Sequence, residues 1–166
     1  MRNTIPTPHA LRAFTGTSLR GVLQELVSDL QRRHADTGMP LPQITFDVAA
    51  DHGLPGDAEV VRNLLEGWLA DAVRAAAGSA AMARSAEVFI TSVAYADRLE
   101  IEIADTGPAV AGRQVAGDMV AGRLRAVAEQ SLLERLQATV RLDDCPEGGV
   151  ALTLCVPMQA TRRAAA

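Results

Sequence analysis

Lysine is absent from this chain: all sixteen of its Lys/Arg residues are arginine, a bias that reads as genome composition rather than mechanism. Aromatic residues are sparse at 3%, with one Trp, one Tyr and three Phe, so the core must be aliphatic. No stripe of basic residues with interleaved aromatics occurs, which argues against nucleic acid as a partner. The two cysteines, Cys145 and Cys155, have neither metal-ligand spacing nor a redox motif. Cys155 stands in a strand-like run and reads as a small buried residue. No apolar run approaches the roughly 18 residues of a membrane span, and no signal peptide opens the chain. A cytoplasmic protein with no membrane partner is the expectation.

What is present fits one soluble domain. At 166 residues, 48% hydrophobic and 22% charged with a net charge of −4, the chain can bury a sizeable core. Residues 1–17, with Pro6, Pro8 and Gly16, read as an irregular lead-in, residues 18–158 as the domain, and 159–166 as a flexible tail. From Ser18, a plausible N-cap, the apolar set Leu19, Val22, Leu23, Leu26, Val27 and Leu30 recurs at helical spacing, with Gly38 as the stop. Pro40 and Pro42 lead into a short strand, Gln43–Ala49, and Gly53, Pro55 and Gly56 make a turn.

Asp57 then caps a longer helix with the stripe Val61, Leu64, Leu65, Trp68, Leu69, Ala72 and Val73. The Ala/Gly/Ser-rich stretch Ala75–Ala83 reads as a connector to strand Ala86–Tyr95. After a tight turn at Ala96-Asp97, strand Arg98–Ala104 alternates Leu99, Ile101 and Ile103 with Glu100 and Glu102, which predicts a sheet with one wet face. A glycine-bearing loop, Asp105–Gly122, precedes a third helix around Leu124–Gln137. Strands Thr139–Asp143 and Val150–Val156 flank the turn Pro146-Glu147-Gly148-Gly149. The order predicts helices layered on a mixed sheet, an α/β two-layer sandwich with about three helices.

Two segments carry a resemblance. Gly56-Asp57 opens the helix that runs through Arg74, and Asp105-Thr106-Gly107 hangs on the end of an alternating strand. Their order and spacing resemble the N-box and G1-box of the histidine-kinase-type ATPase fold, the GHKL superfamily, over about residues 18 to 157. In sensor histidine kinases the N-box helix carries two asparagines four apart and then a basic residue. Here those positions fall on Gly67, Asp71 and Arg74. The G1-box matches at Asp105 and Gly107, with Ala109 in place of its second glycine. Gly148-Gly149 before a strand ending in Pro157 resembles the family's closing strand, and the glycine-rich G2-box falls near Arg123-Leu124-Arg125-Ala126.

The resemblance implies a site for ATP with Mg. Asp105 would accept a hydrogen bond from the adenine amino group, and Gly107 would let the turn take φ > 0 and a ligand approach. Asp71 could ligate magnesium as a hard-oxygen donor, or simply pair on the helix surface with Arg74 or Arg62. Arg74 could hold a phosphate oxygen or extend into water. Arg123 and Arg125 could plug the phosphate end, replace the glycine cradle with guanidinium forks, or lie on an exposed face. Glu66 invites comparison with the general base of related ATPases, but it lies five residues before Asp71 instead of four, which rotates it by about 100°. It reads as a solvated glutamate.

His9-Ala10-Leu11-Arg12 resembles a phosphoacceptor box but lacks the two long helices such a histidine needs; it reads as a chance match. His34 and His52 read as surface residues. The function implied is the ATP-binding, catalytic-type domain of a two-component sensor kinase system, free-standing, with weakened or absent ATP binding. Its partner would be a phosphoacceptor-histidine protein. The alternative is a non-catalytic domain that docks a signalling partner such as a response regulator. An anti-sigma-factor type serine kinase fits less well, because the Gly-Asp-led helix suits sensor kinases.

Overall fold

In a computed structural model, the residues described are 18–35, 41–80, 85–108, 129–146 and 148–158. Helix α1 spans Leu19–Ala35 and α2 spans Ala58–Ala80; strands β1 to β5 span Gln43–Asp47, Glu87–Ala94, Arg98–Asp105, Thr139–Asp144 and Val150–Pro157. A third helix, α3, is described over residues 129–136. The strands form one sheet in the order β1-β2-β3-β5-β4. β1 and β2 are parallel, and every other pairing is antiparallel.

Helix α1 forms where its apolar spacing requires. Ser18 caps it, its Oγ accepting from Gly21 N–H at 3.0 Å and its carbonyl from Val22 N–H at 3.1 Å. All six residues of its stripe are buried. Asp57 caps α2 in the same way, its Oδ1 accepting from Glu59 N–H at 3.1 Å and Val60 N–H at 3.3 Å. Gly56 supplies the left-handed residue before this cap, at φ 65°. The second stripe is buried throughout, from Val61 to Val73, and is extended by Val60 and Ala76.

Both helices share one apolar cluster with a single face of the sheet: Val88 and Ile90 of β2, Leu99, Ile101 and Ile103 of β3, and Leu154 and Val156 of β5. In β3 the alternation is complete, buried residues facing the helices and half-buried ones facing away. Register aligns the core rows, with Ile101 opposite Ser92 on one side and Leu154 on the other, and Ile103 opposite Ile90 and Leu152.

Three expectations need correction. The Ala75–Ala83 stretch is not a connector over its first half, because α2 continues through Ala80. Alanine has the highest helix propensity, and Ala76 is fully buried, so packing outweighs the cost of Gly78, about 1 kcal/mol. Cys155 is half-buried on the outer face of the sheet, opposite Glu100 and Thr139. His52 is not a surface residue: it is half-buried, Nδ1 lies 2.7 Å from Ser92 Oγ, and its carbonyl accepts from Leu19 N–H at 2.9 Å. The lead-in 1–17 with His9, the stop at Gly38, the loop from Ala109 to Gly122, Arg123, Arg125 and the tail 159–166 lie outside the described residues. Among the described residues no helix is long and apolar enough to cross a membrane.

Candidate nucleotide site

β3 ends in the one buried carboxylate of the sheet's described core. Asp105 is 4% exposed and follows Ile103 on the helix-facing side. The chain turns immediately after it, and the turn is held from three directions. Gly107 N–H donates to Asp105 Oδ1 at 2.8 Å, which sets the carboxylate's orientation from within. Thr106 bridges to β2: its N–H donates to Glu87 O at 3.1 Å, and its Oγ1 accepts from Glu87 N–H and donates to Ser85 O, each at 2.9 Å. Gly149, at φ 94°, passes so close that a Cβ there would sit 1.7 Å from Asp105 O.

Gly107 is needed for a reason other than the expected one. Its φ is not in the left-handed region; instead the turn packs on α2. A Cβ at Gly107 would lie 2.7 Å from Ala75 Cβ and 2.7 Å from Asp105 Oδ1. Close approach of the turn to a small residue on the helix, not turn conformation, demands glycine here.

Between α2 and the sheet lies a cavity of about 80 Å³, lined by Trp68, Asp71 and Ala72 of α2, Ile103 and Asp105 of β3, Leu142 of β4, and Val150 and Leu152 of β5. It is enough for a few waters and small beside the roughly 300–1,000 Å³ of an ordinary ligand pocket. Helical spacing explains the α2 contribution: residues 68, 71 and 72 follow at intervals of three and four and so share one face. Asp105 and Asp71, about thirty residues apart in sequence, therefore line the same cavity. A second, more open groove of about 510 Å³ lies between α3 and the start of β4, with Glu134 as its sole acidic residue among the described lining.

The remaining positions fall around this centre. Arg74 Nη1 donates to Asp71 Oδ1 at 2.9 Å, with side chains 76% and 36% exposed. Arg62 instead reaches Glu25 at 2.8 Å, and Glu66 pairs with Arg33 at 3.1 Å, as a solvated glutamate should. Gly67 is a half-buried residue of α2 one turn before Asp71 and is not among the described lining residues of the cavity. Arg123 and Arg125 fall outside the described residues.

Trp68 and Thr106 were missed by the sequence reading as site residues. Trp68 reads only as part of the apolar stripe, although its position three before Asp71 already places both on one face. Thr106 carries no signal of its own, since its partners Ser85 and Glu87 are brought to it by strand pairing.

No protein-family model matches the chain, and no curated protein matches it. Solved structures do. A nucleotide-free form of the catalytic domain of histidine kinase ThkA superposes with a TM-score of 0.64 at 12% identity, over 85% of this chain and 94% of that one. The Acinetobacter baumannii histidine kinase AdeS gives 0.60 at 14% identity, over 86% of this chain and 66% of that one. The mycobacterial sensor histidine kinase MprB gives 0.57 at 16% identity, over 85% and 95%. At such identities the likeness speaks for architecture alone: the chain has the α/β fold of histidine-kinase catalytic domains.

Proposed function

We propose that this chain is an adenine-nucleotide-binding domain of the histidine-kinase type, with Asp105 reading the base. The observation that supports it most is the meeting of Asp105 and Asp71 in one cavity between α2 and the sheet. A buried carboxylate oriented by a backbone N–H can still accept from an exocyclic amine, because an ionised carboxylate offers about four acceptor positions. In this reading Asp71, 36% exposed, would meet the phosphate chain, and Arg74, which pairs with it, would supply positive charge.

Magnesium suits Asp71 in a limited way. Among the described residues no group of three acidic, histidine or cysteine side chains could hold a metal ion. One carboxylate with phosphate oxygens and waters completing the shell is, however, the usual manner of binding Mg²⁺. The ion would offset charge on the phosphates. The activity so implied is presentation of a γ-phosphate to a phosphoacceptor histidine on another chain.

A second reading, a docking domain for a partner such as a response regulator, is favoured by one feature. Phe89, Val93 and Tyr95 are 39%, 49% and 41% exposed along a single strand and its end, on the face away from the helices.

Calorimetric titration with Mg-ADP decides between the two. Binding that weakens about 10- to 150-fold in Asp105→Asn, the equivalent of roughly 1.5–3 kcal/mol for a charge-assisted hydrogen bond, supports the nucleotide reading. Equal binding by both proteins would remove the role given to Asp105. No heat with either leaves the docking reading ahead.

A further inference from the structure

The sheet has a second face, turned away from both helices, and it carries an apolar stripe. Along β2 the side chains of Phe89, Thr91 and Val93 point to this face, with Phe89 39% and Val93 49% exposed. β2 is paired on both sides, so only a group laid across the sheet can cover them. Beside Phe89 the row continues through Ala104 and Ala151, whose small side chains leave the flank of the ring open. Register then places a carboxylate on each side of the stripe. Thr91 lies opposite Asp47 of β1 and Glu102 of β3, which therefore stand about 10 Å apart, midway between Phe89 and Val93. Other outward acids are already neutralised: Glu100 by Arg98 at 2.7 Å, and Asp143 by Arg141 at 2.6 Å. Glu102 accepts a long bond from Thr153 Oγ1 at 3.4 Å, and neither it nor Asp47 has an ion pair among the described residues.

Resting on the docking reading above, we propose that this face binds a cationic amphipathic helix of a partner protein. The helix lies along β2 with its apolar side on Phe89 and Val93, and a basic residue on each flank reaches Asp47 or Glu102. The dimensions agree. Phe89 and Val93 are about 13 Å apart along the strand, and a helix presents apolar residues at i, i+3, i+4 and i+7 over about 10.5 Å. Its diameter of about 10 Å matches the span from β1 to β3. Charge disfavours other occupants of the stripe. Two copies placed face to face would bring both pairs of carboxylates together, each chain having a net charge of −4. An anionic lipid surface or a nucleic acid would be repelled by the same acids. The face lies across the sheet from Asp105, so its occupancy leaves the cavity free.

The probe is a labelled helical peptide of about 18 residues, with leucines at the apolar spacing and arginines on both flanks. It is titrated with the full chain and read by fluorescence anisotropy, beside a counterpart with glutamate in place of arginine. Val93→Ser is expected to weaken the arginine peptide about three- to tenfold, since half of the valine surface is still to be buried. Glu102→Gln, which keeps the shape and the acceptor for Thr153, is expected to weaken it about two- to fivefold. Glu59→Gln removes one charge from the exposed start of α2 and leaves the affinity unchanged, which separates docking from general attraction to an acidic chain. Thermal melts verify that each variant is folded. Equal binding of both peptides, lost in Val93→Ser, overturns the cationic partner and leaves the docking reading standing. Sedimentation showing a dimer that Val93→Ser dissociates overturns it in favour of a second copy. No binding of either peptide, or equal losses in Glu102→Gln and Glu59→Gln, removes this face as the docking site. Titration with Mg-ADP is independent of all these outcomes.

Discussion

At the scale of single residues, the site depends on what is missing from two glycines as much as on what Asp105 provides. Gly149 allows β5 to begin against the carbonyl of Asp105, and Gly107 allows the turn to rest on Ala75. Alanine at 149 must both occupy φ 94° and displace backbone 1.7 Å away, so Gly149→Ala should cost roughly 3–5 kcal/mol by strain and overpacking together. Gly107→Ala meets a side chain and a carboxylate oxygen at 2.7 Å and should cost roughly 1–3 kcal/mol, with a loss of base affinity because Asp105 is pushed aside. Gly78 is the control. A Cβ there meets nothing within 4 Å, and the residue is exposed in the last turn of α2, so Gly78→Ala should stabilise by about 0.5 kcal/mol. Urea unfolding of the three variants should rank them in that order; a Gly78→Ala protein less stable than the parent would contradict the reading of α2 as a continuous helix.

At the scale of elements, α2 serves two purposes with one apolar stripe. Val61, Leu65, Leu69 and Val73 fill the core, while Trp68 and Ala72 of the same stripe, with Asp71 beside them, line the cavity. The helix is anchored at its start by Asp57, which caps two N–H groups with Oδ1 and accepts from Arg135 of α3 with Oδ2 at 2.8 Å. The carboxylate also complements the positive end of the helix dipole. Asp57→Ala should therefore cost about 1–2 kcal/mol, chiefly through the lost cap. Arg135→Ala should cost no more than about 0.5 kcal/mol, because its side chain is 61% exposed and the pair is screened. Thermal melts of both variants test the division: equal losses would mean that the α2–α3 ion pair, not the cap, holds the start of the helix.

At the scale of the whole molecule, sheet order decides where chemistry can occur. β3 and β5 lie side by side near the centre, so the ends bearing Asp105 and Val150 adjoin under α2. The outer face is solvated, and there Arg98 joins β3 to the preceding turn: Nε donates to Glu100 Oε1 at 2.7 Å, and the guanidinium lies over the Tyr95 ring at 4.1 Å. The Arg98 hydrogen bond, followed by its charge, holds the Glu100 carboxyl below the usual glutamate range. A carboxyl whose pKa is depressed on folding adds stability that is present above its unfolded value, about 4.3, and is lost as pH falls through the folded value. Stability should thus decline on acidification below about pH 4.3, and the part due to this pair should vanish in Arg98→Gln. The effect will be small, since Glu100 faces solvent. Identical acid profiles for the variant and the parent would show that the pair contributes nothing.

Much of this molecule follows from its sequence alone, because local physics decides those parts. The α1 stripe from Leu19 to Leu30, the caps at Ser18 and Asp57, and the alternation of β3 are set by spacing within one segment, and the structure reproduces them. The end of α2 was misjudged because an Ala/Gly/Ser-rich stretch is neutral by composition, and burial of Ala76 against the sheet tips the balance to helix. Only tertiary structure could show that Gly107 is required by Ala75, that Gly149 touches Asp105, or that Thr106 ties the turn to Glu87. Each contact joins residues 19 to 44 positions apart, and no periodicity within a segment encodes it. The same holds for the cavity. Two aspartates stand on separate elements, and the packing of α2 against β3 brings both to one cavity.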